Sequence, residues 1–481
     1  MTRPSLFEPL SLASGVTLPN RVVVPAMVTR LSGEDGAVNG DIRDRYVRFA
    51  RGEAGLVVVE AMAVHASKSG PLLRISSDEF VPGLRELARA CHDASPSKIF
   101  PQIIHFLKIA RSGWRQTVDM LSLDEIDEIV AAYGHAAVRA REAGFDGVEL
   151  HMAHAYTLSS FLSRNNPRRD AYGGTLENRL RLPTRVLAAV RAKVGDDFPI
   201  GVRFVGDEAI KNGYTHVEAA LIAERFARMG VDYVSLSAGG KFEDAIKREG
   251  EPLYPYTGYS GDRCMPGAAY PDGANLHLPA HVRAHLRARG LATPDVGAGK
   301  IGSLEVAERA LAEDRLDLVG MARALLADPD LPKKWREGRE DLVVRCLYGN
   351  VCKALDESFR KVVCTLWPKG SLQAPEPSEA REHAWAEGAG LVATFSQGQI
   401  VLTWRAPRGP GAPYGYELLR ADGDGLLLHH ASIRGRSLRY EDKQVTGGNT
   451  YRYALRPYDL SGRRGDASSS VSVSVPLEVQ A

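Results

Sequence analysis

Hydrophobic residues follow two different patterns along the chain, and the change between them falls near residue 368. Up to about residue 340, short β-branched runs alternate with longer segments in which apolar residues recur every three or four positions. One such segment is bounded by a capping box, Ser122 with Glu125, and by Gly144. Eight strand–helix units predict an α/β fold, the (β/α)8 TIM barrel, with a doubly wound sheet as the alternative. The predicted strands are residues 22–25, 56–61, 99–104, 147–151, 200–204, 233–237, 295–298 and 318–321.

The last part of the chain alternates apolar and polar residues with a period of two. We assign residues 1–368 to the barrel with its C-terminal extension, residues 369–387 to a linker containing proline and glycine, and residues 388–477 to a small all-β sandwich. This last segment resembles a fibronectin type III module, through Trp404 and through the stretch from Gly448 to Tyr453. The predicted strands are residues 400–404, 414–419, 426–430, 451–457 and 471–475.

Charge and cysteine content narrow the class of protein. The 61 basic and 59 acidic residues leave a net charge of +2, which is too small for a nucleic-acid-binding or membrane-surface protein. No apolar run approaches the ~20 residues that span a bilayer, and the first twenty residues lack the apolar core of a signal peptide. The five cysteines are too sparse for a disulfide framework. We therefore expect a cytoplasmic enzyme that acts on a small molecule.

Polar residues follow the predicted barrel strands at the positions where TIM barrels carry their active sites. His151, His154 and Tyr156 end the fourth strand, where two hydrogen-bond donors and a proton donor can serve one carbonyl substrate. No Asp, Glu or Cys follows the two histidines at ligand spacing, so no metal site is predicted. The seventh strand leads into a G-x-G-x-x-G sequence, which indicates a phosphate loop, with a dinucleotide-binding domain as the alternative. The other candidates are Gln102, Arg203, Gly299, Lys300 and Arg323.

Several ordered motifs resemble the Old Yellow Enzyme family of FMN-dependent NAD(P)H:flavin oxidoreductases. These motifs lie at residues 6–10, 19–21, 143–151, 161–166, 170–174, 177–181 and 328–330. The resemblance implies FMN as cofactor and NADH or NADPH as electron donor. It implies that Ala26, Met27, Ala61, Gln102 and Arg203 contact the flavin ring and that Gly299, Lys300 and Arg323 hold its phosphate. It further implies that His151 and His154 bind the substrate oxygen and that Tyr156 gives the proton.

A cysteine cluster relates the chain to the 2,4-dienoyl-CoA reductase and trimethylamine dehydrogenase branch of that family. This branch carries an iron–sulfur cluster on a C-x2-C-x3-C-x11-C pattern just after the barrel. Cys346, Cys352 and Cys364 resemble that pattern, but Gly349 stands at the second cysteine position. The spacing from the first to the third position of the pattern, Cys346 to Cys352, is also one residue short. Because four cysteines normally ligate such a cluster, we expect no iron–sulfur cluster and cysteines that pack behind the barrel.

The expected activity is that of an ene-reductase, which reduces the activated C=C bond of an α,β-unsaturated carbonyl compound. A long loop at residues 241–277 contains Tyr254, Tyr256 and Tyr259, which suit a flat cyclic or aromatic-derived substrate. The same site could serve a flavin-dependent desaturase or amine dehydrogenase. A different class of hypothesis is that the sandwich recruits the barrel to a protein assembly or a homo-oligomer.

Overall fold

The computed structural model describes residues 5–67, 70–108, 115–239, 246, 261–374, 390–408, 413–434, 437–459 and 464–477. The first ten strands are β1 (Leu10–Ser11), β2 (Thr17–Leu18), β3 (Val22–Val24), β4 (Leu56–Ala63), β5 (Lys98–Ile104), β6 (Val148–Met152), β7 (Ile200–Val205), β8 (Tyr233–Ser237), β9 (Asp295–Ala298) and β10 (Leu318–Gly320). The others are β11 (Val392–Ser396), β12 (Gln399–Thr403), β13 (Gly415–Asp422), β14 (Leu428–Arg434), β15 (Arg439–Asp442), β16 (Thr450–Tyr458) and β17 (Val471–Ser474).

Helices separate most of the barrel strands. They are α1 (Gly40–Arg51), α2 (Val81–Ala94), α3 (Leu123–Glu142), α4 (Thr157–Leu162), α5 (Leu176–Val194), α6 (His216–Arg228), α7 (Gly261–Cys264), α8 (His277–Ala288), α9 (Leu304–Ala312), α10 (Ala322–Ala327), α11 (Leu331–Arg336) and α12 (Val351–Glu357). Short 3₁₀ turns lie at Asp78–Phe80, Val118–Met120 and Glu340–Leu342. Among the described residues, none of these helices has both the length and the apolar character that crossing a membrane requires.

Strands β3 to β10 close into a parallel eight-stranded barrel, which confirms the predicted fold and excludes the doubly wound sheet. The barrel closes where β10 pairs with β3, with Val319 opposite Val22. Each observed strand begins and ends within two residues of its prediction. The predicted capping box is also present, since the Glu125 N–H donates to Ser122 Oγ at 3.1 Å and the Ser122 N–H donates to the Glu125 carboxylate at 2.8 Å. The seventh unit belongs to this barrel, so its glycine-rich loop is not part of a dinucleotide-binding domain.

Alternation of side chains along the strands divides the barrel into two apolar regions and one polar region. Residues such as Val148 and Leu150 face outward and join the helices in the main core. Inside the barrel, the first residues of several strands form a separate apolar cluster, and Leu12 and Leu18 of the β1–β2 hairpin segment pack against it. Because the hairpin closes the amino-terminal end, the interior is left polar only toward the carboxyl ends of the strands.

Two antiparallel sheets form the C-terminal part of the chain. One sheet has the order β11-β12-β15 and the other the order β14-β13-β16-β17. Trp404, which directly follows β12 of the first sheet, packs against Tyr416 of β13 in the second sheet. Their ring centroids are 5.4 Å apart, and both residues belong to one core that the two sheets share. The Tyr451 hydroxyl accepts a hydrogen bond from the Thr446 N–H at 2.9 Å, a contact typical of the tyrosine corner of β-sandwiches. All five predicted strands are present, whereas β11 and β15 were not predicted.

The barrel and the sheets meet at a fourth apolar cluster. Leu366 and Trp367, which follow the barrel, pack there with Tyr458 of β16. The Tyr414 hydroxyl donates to the Trp367 carbonyl oxygen at 3.1 Å. The guanidinium of Arg45 on α1 lies 4.9 Å from the Trp367 ring centroid. Residues 375–387 of the predicted linker lie outside the described residues.

Candidate active site

The loop between β6 and α4 brings His151, His154 and Tyr156 together. The ring of His151 lies 5.2 Å from that of His154 and 5.2 Å from that of Tyr156, both in edge-on arrangements. This requires an abrupt turn, and His154 and Ala155 both adopt left-handed backbone conformations, with φ of 59° and 63°. The three residues that the sequence indicated as one constellation are therefore neighbours in space at the carboxyl end of the barrel.

Burial keeps both imidazoles neutral. It lowers the pKa of His151 to about 3, with a smaller effect from the positive charge of Arg203, and it holds the pKa of His154 well below its usual value. The Ala153 N–H donates to His151 Nδ1 at 3.1 Å, so the ring proton of His151 must be on Nε2. His154 Nε2 lies 2.7 Å from the Ser237 hydroxyl at the end of β8. Neither ring can act as an imidazolium acid at neutral pH, but His151 offers an N–H donor.

A polar network lies inside the barrel next to the histidines. Gln102 Nε2 donates to Glu149 Oε1 at 2.5 Å, and the Tyr233 hydroxyl donates to Glu149 Oε2 at 2.9 Å. Arg203 lies opposite His151 in the β6–β7 register, and its Nε is buried with no hydrogen-bond partner among the described residues. Burial raises the pKa of Glu149, against the opposing effect of Arg203. The network leaves Arg203 with a hydrogen-bond donor for a ligand.

The loops after β9 and β10 bring two cations together. Gly299 has a φ of 129°, and a Cβ there would lie 2.7 Å from Asn275 Cβ, so this turn requires glycine. Lys300 Nζ donates to the Ala268 carbonyl oxygen at 2.7 Å, and Arg323 donates to the Asn350 side-chain oxygen at 2.6 Å. Burial lowers the pKa of Lys300, and the charge of Arg323 adds to this effect. These are the residues expected to hold a phosphate.

Of the three apolar residues expected beside a flavin ring, Ala26 and Met27 follow β3 and Ala61 lies on the neighbouring strand β4. Ala26 packs against the interior cluster of the barrel, Met27 packs against the main core, and Ala61 is a buried residue of β4. The sequence analysis missed Glu60, the residue before Ala61. Its carboxylate accepts hydrogen bonds from the Thr29 N–H and the Tyr46 hydroxyl, each at 3.2 Å. Burial raises the pKa of Glu60 to about 7.

The three cysteines that follow the barrel lie at the barrel–sheet junction. Cys364 is part of the apolar cluster there, and Cys346 and Cys352 pack against it. Burial raises the pKa of Cys346, and raises that of Cys352 to about 11. In the part of the chain that the structure describes, no group of three or more His, Cys, Asp or Glu residues could hold a metal ion. The absence of an iron–sulfur cluster stays a prediction, and Tyr254, Tyr256 and Tyr259 of the predicted substrate loop lie outside the described residues.

A parallel barrel with its polar residues gathered at the carboxyl ends of the strands defines a TIM-barrel enzyme. A family model described as the NADH:flavin oxidoreductase / NADH oxidase family matches residues 5–116, 108–262 and 277–342, which together make up more than half of the chain. The chain therefore belongs to this family of flavin oxidoreductases.

Curated relatives and solved structures agree with this assignment. The NADPH dehydrogenase of Geobacillus sp. (strain WCH70) is 34% identical over 343 residues, covering 68% of this chain and 92% of the relative. The NADH oxidase of Thermoanaerobacter brockii is 32% identical over 369 residues, covering 72% of this chain but only 53% of the relative. This chain thus spans about half the length of that longer relative.

Two solved structures illustrate which known proteins have a similar fold. The Old Yellow Enzyme homologue of Zymomonas mobilis superposes with a TM-score of 0.55 at 25% identity, covering 70% of this chain and 93% of that one. The histamine dehydrogenase of Rhizobium sp. 4-9 superposes with a TM-score of 0.64 at 26% identity, covering 79% of this chain and 55% of that one. An Old Yellow Enzyme homologue and a histamine dehydrogenase are therefore both represented among the similar structures.

Proposed function

We propose that the chain is an FMN-dependent ene-reductase that takes electrons from NADH or NADPH and reduces the C=C bond of an α,β-unsaturated carbonyl compound. One observation carries the proposal: two buried, neutral imidazoles and a phenol meet at the carboxyl end of the barrel, with His151 5.2 Å from each partner ring. Two donors suit a carbonyl oxygen, and a phenol is protonated at neutral pH.

The residues present fit FMN. The unpartnered Nε of Arg203 is a cationic donor for the oxygen-rich edge of a flavin ring. Gln102 binds Glu149, the carboxylate on which the charge of Arg203 acts. The Gly299 turn, with Lys300 and Arg323, suits the phosphate. Ala26, Met27 and Ala61 would line the ring. FMN, when bound, supplies the hydride chemistry.

The chain's own side chains would polarise the substrate and supply its proton. His151 Nε2 and His154 would donate hydrogen bonds to the carbonyl oxygen and stabilise the negative charge that develops there during reduction. Because burial lowers the pKa of both histidines, neither carries a transferable proton at neutral pH. Tyr156 would therefore deliver the proton to the α-carbon.

The test is the variant Tyr156→Phe, which removes the hydroxyl and keeps the ring. We expect turnover of 2-cyclohexen-1-one to fall by about 100-fold or more, the usual scale of general-acid catalysis, while NAD(P)H still bleaches the flavin at the rate of the unmodified protein. Tyr172→Phe is the control, since Tyr172 instead accepts a hydrogen bond from Arg185. Unchanged enone turnover in Tyr156→Phe would refute the assigned proton donor.

The alternative is an amine dehydrogenase, favoured by the similarity to histamine dehydrogenase. The same spectra distinguish the two, since an amine substrate bleaches the flavin without any nicotinamide. An ene-reductase instead needs NAD(P)H for bleaching and an enone for reoxidation.

We propose further that the C-terminal sheets form a fibronectin type III module. The arrangement of three and four strands, the Trp404–Tyr416 contact and the Tyr451 hydrogen bond support this class.

A further inference from the structure

The segment after the barrel places a tyrosine among the phosphate-binding candidates. Tyr348 lies close to two cations: the guanidinium of Arg323 is 4.9 Å and Lys300 Nζ is 5.5 Å from its ring centroid. Neither sequence motif nor family resemblance assigned it a role. The residue adopts a left-handed backbone conformation, with φ of 54°, which is uncommon for an aromatic side chain. Its position is therefore set by a strained turn of the segment that carries Cys346 and Gly349.

The Tyr348 hydroxyl is a buried donor without a partner. Its oxygen is fully buried and makes no hydrogen bond to any described residue. A buried, unpaired hydroxyl costs free energy, so such groups are normally satisfied by a protein group, a water or a ligand. Burial raises the pKa of Tyr348, and the hydroxyl therefore stays protonated at working pH.

The hydroxyl lies against the glycine-rich loop after β9. A Cβ on Gly302 would lie 2.2 Å from Tyr348 Oη, so only glycine lets the phenol approach the backbone this closely. The loop leads into α9, whose N-cap is Ser303. Backbone N–H groups at such a loop favour anions, as do Lys300 and Arg323. Lys300 Nζ lies 3.6 Å from a carboxylate oxygen of Asp272, which is largely exposed.

We propose that Tyr348 binds the cofactor phosphate, with its hydroxyl donating a hydrogen bond to a phosphate oxygen held by Lys300 and Arg323. This inference rests on the proposed function, because it takes FMN as the ligand. It assigns a cofactor-binding role to the segment after the barrel, at the point where the sequence departs from the four-cysteine pattern.

The experiment compares FMN with riboflavin, which has the same ring and no phosphate. Flavin-free full-length chain is titrated with each compound, and quenching of flavin fluorescence gives the dissociation constants. We expect Tyr348→Phe to weaken FMN binding about 10- to 100-fold, the scale of a hydrogen bond to a charged group, and to leave riboflavin binding unchanged. Because phenylalanine keeps the ring beside the two cations, the fold should survive, and a thermal melt checks this.

Two further variants make the result specific. Tyr172→Phe should change neither dissociation constant, and Arg323→Gln should weaken FMN more than Tyr348→Phe does. Unchanged FMN affinity in Tyr348→Phe would overturn the inference while leaving the proposed function intact. If Tyr348→Phe weakened the binding of FMN and riboflavin equally, the inference would also be overturned, since Tyr348 would then support the site without contacting the phosphate. If the unmodified chain binds neither flavin, both this inference and the proposed function fail.

Discussion

At the scale of single residues, Glu60 should make the stability of the protein depend on pH. Burial raises its pKa from 4.5 to about 7 in the folded chain. The unfolded chain thus loses this proton near pH 4.5, and the folded chain keeps it up to about pH 7. Protonated Glu60 therefore contributes about 3 kcal/mol to the free energy of unfolding below pH 4.5, and this contribution is lost as the pH rises through 7.

Glu60→Gln should remove this dependence and retain the acceptor oxygen for Thr29 and Tyr46. We expect the variant to lose less free energy of unfolding than the unmodified chain between pH 5 and pH 8, as measured by urea denaturation. Glu128→Gln, at an exposed position, is the control. If the free energy of unfolding of Glu60→Gln and that of the unmodified chain change in parallel with pH, Glu60 does not carry a proton in the folded state at pH 6.

The sequence predicted the His151, His154 and Tyr156 constellation because all three residues lie within six positions at the end of one strand. It did not predict their partners. Glu149 and Tyr233 form a hydrogen bond across 84 positions, and His154 meets Ser237 across 83. A single polar residue within a strand is weak evidence for a site, because its hydrogen-bond partners lie on other strands and come close only when the barrel closes.

At the scale of elements, the same distinction holds between strong and weak patterns. The eight barrel strands are apolar runs bounded by helix signals, and the sequence located each within two residues. The missed strands β11 and β15 are short. Their positions alternate between exposed and partly buried, and the buried residue that ends β15 is the polar Asp442, so their apolar signal is faint. Each of the strands β1 and β2 has two residues, and no periodicity can reveal so short an element.

The packing of β7 against β8 depends on one glycine. A Cβ on Gly201 would lie 2.1 Å from Cζ of Tyr233, deep inside the barrel. We therefore expect Gly201→Ala to destabilise the fold by about 1–3 kcal/mol, the usual cost of overpacking, and to disturb the Tyr233–Glu149 hydrogen bond. Urea unfolding measures the change. Gly390→Ala is the matched control, because a Cβ there meets no atom within 4 Å; equal effects of the two variants would contradict the packing argument.

At the scale of the whole molecule, the barrel and the sheets share one apolar cluster. Leu366, Trp367 and Tyr458 are each almost fully buried in it. The sheets also lie behind the segment that carries Tyr348, since a Cβ on Gly349 would contact Ser432 Oγ of β14 at 3.4 Å. If the sheets served only to bind a partner protein, they would not need to cover apolar residues of the barrel segment. The contact therefore favours a structural role for the sheets.

A variant truncated after residue 374 tests whether the sheets have a structural role or only a docking role. Truncation exposes Trp367, so we expect a lower melting temperature and a red-shifted tryptophan emission. It also removes the support behind Gly349, and FMN binding should weaken more than riboflavin binding, since Tyr348 acts on the phosphate alone. Tyr414→Phe in the full chain is the mild control, because it keeps the ring, removes the hydrogen bond to the Trp367 carbonyl and should cost about 1 kcal/mol. If the truncated barrel melts and binds FMN as the full chain does, the sheets are an independent module, and their contact with the barrel does not support the cofactor site.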